Sequence, residues 1–351
     1  MSGGKTIKYL DLFAGYGGFS LGIQQVINAE CIGFSEIDRF AIETYQKHFP
    51  EHKNYGDITK INPEELPDFD LLVGGFPCQA FSIAGKRRGF SETRGTLIFD
   101  VLRILEAKRP ARVLLENVKG LLSHDGGRTF RTIITSLAEL GYSVEWQVLN
   151  AKNFGVPQNR ERVFIVGHLG GFGGRQVFPL GADGAVHPEQ ESSQSPCLKS
   201  PLRIQSDKAM IEITRNVSDA QRIYSPKGIS KTLKGLGGGQ GAKTGLYEIP
   251  EATKKGFAVA EEGDSINLSV INSKTRRGRV GKGIAQTLDT GMHQHTIDKT
   301  RIRRLTPTEC ERLMGLPDGW TAGHSDTQRY KLCGNGVVVD VVREVIRKMY
   351  A

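Results

Sequence analysis

Cys78 stands in Gly74-Gly75-Phe76-Pro77-Cys78-Gln79-Ala80-Phe81-Ser82, just after the apolar run Phe69-Asp70-Leu71-Leu72-Val73. Such a run reads as a buried parallel strand, which puts Cys78 at its carboxyl end, where open α/β sheets bind ligands. A thiol fixed there by a proline in a glycine-rich loop suits a nucleophile, although a lone cysteine can also be a small core residue. Glu116, in Leu114-Leu115-Glu116-Asn117-Val118, closes a second apolar strand. Desolvation there raises a carboxyl pKa and lets it donate a proton, unless an arginine pairs with it. In Gln158-Asn159-Arg160-Glu161-Arg162, strand periodicity puts Gln158, Arg160 and Arg162 on one side. Two guanidinium groups so placed suit phosphate binding or support of an anionic site, and an edge-strand charge ladder is the plainer alternative.

A ligand crevice is outlined by a further set. Asp11-Leu12-Phe13-Ala14-Gly15-Tyr16-Gly17-Gly18-Phe19-Ser20 closes the first strand and opens the first helix, and its glycines let backbone approach a ligand. It departs from the dinucleotide fingerprint, with Gly-x-Gly-Gly in place of Gly-x-Gly-x-x-Gly. Glu36 follows the second apolar run, where an acid can accept hydrogen bonds from a ribose diol. Asp57 is expected to end the next strand and to hold an exocyclic amine. Each acid alone also fits a helix cap or a solvated turn.

The elements that must position these groups alternate along the chain. Strands are expected at 7–13, 31–35, 69–73, 111–116, 143–149 and 162–168, and helices at 18–28, 38–48, 96–107 and 128–140. That alternation predicts a doubly wound, mostly parallel α/β sheet. After residue 170 the composition turns to glycine, serine, proline and scattered charge, which predicts a smaller, loop-rich domain over 171–304. Regular structure returns in 305–351, with helices at 307–315 and 336–349, the last expected to pack back onto the first domain, 1–170. Within the middle region Gly228-Ile229-Ser230-Lys231-Thr232-Leu233 resembles Gly283-Ile284-Ala285-Gln286-Thr287-Leu288, and each follows an arginine by six residues, Arg222 and Arg277. Two copies suggest a duplicated strand-and-turn unit and no solenoid.

Charge is uneven. Of the net +9, all lies in residues 200–304, which carry 19 Lys and Arg against 10 Asp and Glu. A local basic excess is the usual footprint of phosphate-backbone binding. The 351 residues, 38% hydrophobic and 24% charged, are ordinary for a folded protein. No apolar stretch reaches membrane-span length, and Met-Ser-Gly-Gly-Lys-Thr lacks the apolar core of a signal peptide, so a cytoplasmic protein is expected. Five scattered cysteines, without a Cys-x-x-Cys pair, suggest reduced thiols and neither a disulfide framework nor a metal site.

Taken in order, these motifs resemble those of the DNA (cytosine-5) methyltransferases of the bacterial and phage restriction-modification type. The resemblance rests on the Asp11 to Ser20 loop, the Gly74 to Ser82 loop, Glu116-Asn117-Val118, the Gln158 to Arg162 element, Arg304-Leu305-Thr306-Pro307-Thr308-Glu309-Cys310-Glu311-Arg312 and Gly334-Asn335-Gly336-Val337-Val338. It implies a Rossmann-like methyltransferase sheet, S-adenosyl-L-methionine as methyl donor, S-adenosyl-L-homocysteine as product, and double-stranded DNA as substrate. It assigns the donor to Phe13, Gly15, Tyr16, Gly17, Gly18, Glu36, Ile37, Asp57, Ile58, Pro77, Leu97, Asn335, Gly336 and Val337. Many relatives carry serine where this chain has Gly336, a change expected to be tolerated because the contact there is partly backbone. The middle region becomes a target-recognition domain, with Gln79, Ser82, Lys86, Arg87, Arg88, Gln158, Arg222, Thr232, Leu233, Thr287 and Leu288 facing DNA.

The chemistry then follows from cytosine itself. Its C5 is a poor nucleophile, so the Cys78 thiolate would add to C6, with Glu116 bonding N3 and the exocyclic amine and Arg160 and Arg162 nearby. A stacked base cannot lie between thiolate and sulfonium, so the cytosine must be flipped out. The basic, glycine-punctuated stretch from Gln79 to Arg94 suits a loop that closes on the DNA backbone. Arg222 is the first candidate for reading guanine in the major groove. A monomer in a prokaryotic cytoplasm is expected, with a cognate restriction endonuclease as a possible companion. Competing readings are an RNA cytosine methyltransferase, opposed by the long basic region, a catalytically dead regulator, opposed by Cys78, Glu116 and Arg160, and a dehydrogenase, opposed by the missing fingerprint.

Overall fold

The computed structural model describes residues 5–77, 97–171, 176–180, 211–212, 224–225, 247–270, 273, 275–291, 293–298 and 301–351. Six strands form one sheet in the order β2-β1-β3-β4-β7-β5. They are β1 (Ile7–Leu12), β2 (Ala29–Ser35), β3 (Leu71–Gly75), β4 (Arg112–Val118), β5 (Tyr142–Asn150) and β7 (Glu161–Leu169). Neighbouring residues along each strand enter opposite cores, as period-two geometry requires. Tyr9, Leu71, Val73 and Leu114 face one apolar cluster, whereas Leu10, Leu72, Val113 and Leu115 face the other. Burial on both faces is why these strands read as continuous apolar runs.

Helices close each face. Phe19 and Ile23 of α1 (Gly18–Gln24), and Ala41 and Tyr45 of α2 (Arg39–His48), belong to the first cluster. Val101, Leu102 and Leu105 of α3 (Leu97–Lys108), with Ile133 and Leu137 of α4 (Arg128–Glu139), belong to the second. This is the doubly wound architecture expected. One strand departs from the parallel pattern, because β7 runs antiparallel to both β4 and β5. It returns from β5 as a hairpin partner and inserts between β5 and β4.

The chain after 170 holds short strands. β8 (Ile211–Glu212) pairs with β9 (Tyr224–Ser225), and β10 (Tyr247–Pro250) with β11 (Phe257–Ala260). β13 (Val280–Gly281), β12 (Ser265–Asn267), β15 (Gln294–Asp298) and β16 (Arg301–Arg304) make a four-stranded sheet around Ile249, Ile266, Ile297 and Ile302. β14 (Ala285–Gln286) pairs in parallel with β6 (Gln158–Asn159), which joins this region to the first sheet's hub.

Three helices end the chain: α5 (Pro307–Leu313), α6 (Asp326–Asn335) and α7 (Val339–Tyr350). α5 opens on a capping box between Thr306 and Glu309. The apolar stripe of α7, Val341, Val342, Val345, Ile346 and Met349, is buried in the first cluster beside α1. Packing of this helix onto the first sheet matches expectation, but its start does not. Gly336 and Val338 are both extended, so 336–338 is a bend between two helices and α6 precedes it. Two further boundaries moved. β3 continues through Gly74 and Gly75, which pair with Leu115 and Glu116 where a loop was expected. Asp57 follows an isolated Phe34–Asn54 bridge and caps a short turn, so no strand ends there. Among the described residues no helix is long and apolar enough to cross a membrane.

Candidate active site

Parallel strands deliver their last residues to one edge of a sheet, and β1, β2, β3 and β4 do so here. An antiparallel strand delivers its first residues to that same edge. Hence Arg162, the second residue of β7, lies opposite Val118 at the end of β4, and the two halves of the candidate chemistry meet. Arg162 Nε donates to Glu116 Oε1 at 3.0 Å, with both side chains largely buried. Burial pushes the Glu116 carboxyl above its ordinary range, and the charges of Arg162 and Arg160 oppose that rise. Gly75 is the cross-strand partner of Glu116, and a β-carbon there would come within 3.1 Å of Glu116 Oε2. A glycine at this position therefore leaves the carboxylate its room.

The chain next to β3 is anchored two residues before the nucleophile candidate. Asn117 Nδ2 donates to the Phe76 carbonyl at 2.7 Å, and Asn117 is buried. Pro77, next along, is exposed. Cys78, Gln79, Ser82, Lys86, Arg87 and Arg88 lie outside the described residues, as do Arg222, Thr232 and Leu233. Leu97, half-buried, opens α3.

The crevice beside this centre is walled by the glycine loop and Glu36. Gly15 has φ of 55°, and a β-carbon on it would meet nothing within 4 Å, so open space lies over the loop. Phe13, also at positive φ, turns the chain out of β1. Glu36 Oε2 accepts from Gly15 N at 3.0 Å, while Oε1 accepts from Ile37 N and Asp38 N, both at 2.8 Å. The Gly15 amide staples the β1 end to the β2 end while the other two amides fix the turn after Glu36, and the remaining lone pair of the carboxylate can accept from a diol hydroxyl. Ile37 is 72% exposed, an apolar side chain held at the crevice mouth. Asp57 accepts from the Thr59 amide and hydroxyl. Open space over a glycine, an acceptor carboxylate and an exposed apolar side chain fit an adenosyl group.

Several expected contact residues face inward instead. Ile58 is buried in the second cluster, and Val337 in the first. Tyr16 is 1% exposed; its hydroxyl donates to the Val337 carbonyl at 2.5 Å, so its side chain clasps the C-terminal segment and does not line the crevice. Asn335 is exposed at the end of α6, and Gly336 follows it. Gln158, expected at DNA, is fully buried: Nε2 donates to Leu313 O and Oε1 accepts from Leu288 N. Leu288 is itself buried, and the Thr287 hydroxyl is spent on Asn159 O at 2.7 Å. The β6–β14 pairing causes all three corrections, because it folds this second unit against the hub.

Arg160 is corrected on the same ground. Its guanidinium is buried and donates to the carbonyls of Leu288, Gly334 and Gly336 at 3.2, 2.9 and 2.7 Å, so it ties the loop after β14 to the end of α6 and does not face an open anion site. Burial and the neighbouring Arg162 push it down to about 10. Two supporting residues had drawn no role from the sequence. One is Asn117; the other is Trp320, whose Nε1 donates to the Tyr16 carbonyl at 2.9 Å while its ring stacks on His48 at 3.6 Å. Asn117 stood only as part of the Glu116-Asn117-Val118 motif, and Trp320 has no spacing that singles it out.

Comparison with known proteins places this site in context. A family model described as C-5 cytosine-specific DNA methylase matches residues 7–351. The chain is 38% identical over 347 residues to Type II methyltransferase M1.ScrFI of Lactococcus lactis subsp. cremoris, covering 98% of this chain and 79% of that one. It is 34% identical over 354 residues to Type II methyltransferase M.HhaI of Haemophilus parahaemolyticus, covering 97% and 93%. Among solved structures it is similar to the S. pombe Dnmt2 methyltransferase, with TM-score 0.58, 18% identity and 98% of each chain covered. The Entamoeba histolytica methyltransferase EhMeth gives TM-score 0.55 at 18% identity, covering 99% of this chain and 98% of that one.

Proposed function

Because the chain belongs to the C-5 cytosine-specific DNA methylase family, we propose that it methylates C5 of a flipped-out cytosine at one short DNA site through a covalent adduct on Cys78. The enzyme class is that of the family, DNA (cytosine-5) methyltransferase, and its substrate is DNA. The observation that carries the finer reading is the buried Glu116–Arg162 pair beside the Phe76-Pro77 entry to Cys78.

Each residue has one task. The Cys78 thiolate adds to C6 of the ring, and its electron pair moves the ring electrons toward C5. Glu116, whose carboxyl burial pushes up against the opposing charges of Arg162 and Arg160, donates to N3 as charge builds there and accepts from the exocyclic amine. Arg162 holds that carboxyl in place. S-adenosyl-L-methionine supplies an electrophilic methyl group. The methylated ring then loses the C5 proton to a base, the sulfur leaves C6 as thiolate, and N3 returns its proton to the Glu116 carboxylate. Thymine is rejected because its N3 already carries a proton.

Glu36 and the glycine loop hold the donor, with Phe13, Ile37, Asp57, Leu97, Pro77 and the backbone of Asn335 to Val337 around it. Residues 1–170 with 305–351 form the catalytic domain, and 171–304 the target-recognition domain. In that domain Arg222 and Thr232-Leu233 take the DNA-reading role, whereas Thr287-Leu288 serves as its dock. The enzyme acts as a cytoplasmic monomer on one flipped base. Since M1.ScrFI and M.HhaI are named Type II methyltransferases, a cognate restriction endonuclease is its expected companion.

A duplex whose target cytosine bears fluorine at C5 tests the adduct, since no proton is there to leave. The protein incubated with that duplex and methyl donor should form a denaturation-resistant complex, absent with Cys78→Ala. Turnover or trapping by Cys78→Ala would overturn the assignment.

A further inference from the structure

Gly336 is bordered by an unusual neighbour. A β-carbon built on it would fall inside the van der Waals envelope of the Tyr16 ring, meeting Cε1 and Cζ and lying 2.7 Å from the hydroxyl oxygen. That hydroxyl donates to the carbonyl of the next residue, Val337. On the far side, Gly18 would place a β-carbon 2.9 Å from both Val337 Cγ1 and Val337 O and 3.0 Å from Tyr16 Cε2. Trp320 fixes the Tyr16 carbonyl from a third direction. The aromatic ring is thus wedged between two glycines, with its polar end closing on the segment that leads from α6 to α7. This contact bears against the expectation that serine is tolerated at 336.

We infer that Tyr16 and Gly336 are a mutually exclusive pair, in which the Tyr16 ring occupies the room a side chain at 336 would need and thereby sets the position of the Asn335 to Val337 backbone. Tyr16 is a positioning residue. Its buried hydroxyl is spent on Val337 O, and it holds the segment whose backbone borders the crevice. The ring has little room to retreat, because it is 1% exposed and closed in by Gly18 and Val337. A side chain at 336 must therefore displace the backbone of 335–337 or expel the ring. The functional part of this inference rests on the reading of the crevice as the methyl-donor site.

A double-mutant cycle separates the pair from that reading. Gly336→Ser, Tyr16→Leu, their combination, and Tyr16→Phe with Gly336→Ser would each be assayed by thermal unfolding without ligand and by calorimetric binding of S-adenosyl-L-homocysteine. Overpacking of this kind predicts that Gly336→Ser alone unfolds at lower temperature and weakens binding by about 10- to 100-fold. KM for S-adenosyl-L-methionine should rise with it, and KM for DNA should not follow. Tyr16→Leu should restore binding to within about threefold in the double variant, as expected for coupled neighbours. Tyr16→Phe should not, because it keeps the ring. Wild-type behaviour of Gly336→Ser, or additive losses in the double variant, would overturn the pairing. If the wild-type protein binds no S-adenosyl-L-homocysteine, the donor-site reading fails, and the unfolding cycle still decides the pair.

Discussion

Glu116 and Arg162 lie on adjacent antiparallel strands two residues out of register, and the guanidinium Nε reaches the carboxylate at 3.0 Å in a largely buried setting. Diagonal neighbours on one sheet face are within reach of long side chains. Neither group would be stable there alone. Burial disfavours the charged carboxylate, and the arginine offsets part of that cost without cancelling it. The result is a carboxyl that stays protonated to higher pH than an exposed one, at the edge where β3 ends.

Glu116→Gln should therefore lower kcat by about 10²- to 10⁴-fold, the range for a positioned acid. Because the native pKa is raised, the acid form prevails at low pH and is lost as pH rises through that value. Wild-type kcat should show this falling limb at high pH, and the variant should lack it. Methyl transfer from labelled donor to DNA, followed across pH, checks both; an unchanged profile would contradict the role.

Arg160→Ala should act on the fold before it acts on DNA. The substitution leaves one buried carbonyl, Leu288, and two half-buried ones, Gly334 and Gly336, without their donor. At about 1–3 kcal/mol for the buried group left unsatisfied, a loss of about 1–3 kcal/mol is expected. Urea unfolding measures it. A variant of wild-type stability with weaker DNA binding alone would mean that the guanidinium serves phosphate after all.

Trp320→Phe removes one donor and keeps a ring for His48. The Tyr16 carbonyl then loses its partner, and the glycine loop loosens. A cost of about 1 kcal/mol corresponds to roughly fivefold weaker S-adenosyl-L-homocysteine binding. Calorimetry should find that loss, and equal affinities would remove Trp320 from the support of the loop.

Asp11 predicts a pH effect on stability. It is fully buried at the end of β1; burial raises it from 3.8 to about 7, Ser20 holds it down and Glu36 adds to the rise. A raised carboxyl binds its proton more tightly in the folded state, so folding is favoured as pH falls through about 7. The penalty is absent below about 4, builds between the two values and is complete above about 7. The stability of Asp11→Asn relative to wild type should rise across that window and keep its full gain above about 7. Urea midpoints at matched pH values test this, and a pH-independent difference would refute it.

How far the sequence carried these assignments depended on how local each signal was. Strands such as Leu71–Gly75 and Arg112–Val118 were legible because apolar runs of strand length leave little choice, and Glu36 and Glu116 were legible because they stand at strand ends. Gln158, Arg160, Thr287 and Leu288 were not. Their inward placement comes from the pairing of Gln158 with Ala285 and Asn159 with Gln286, a contact across well over a hundred residues that no local pattern encodes. The helix Asp326–Asn335 escaped notice because its apolar residues follow no helical stripe. Gly336 was read as a tolerant position, since the Tyr16 ring beside it is distant in the chain.

The most direct test of the central claim is to map methylated cytosines. Purified protein, S-adenosyl-L-methionine and unmodified genomic DNA would be incubated, with Cys78→Ala in parallel, and 5-methylcytosine located by conversion sequencing. The account predicts 5-methylcytosine confined to one short motif and absent with the variant. Methylation that persists with Cys78→Ala, or none at all from protein that binds the donor, would contradict it.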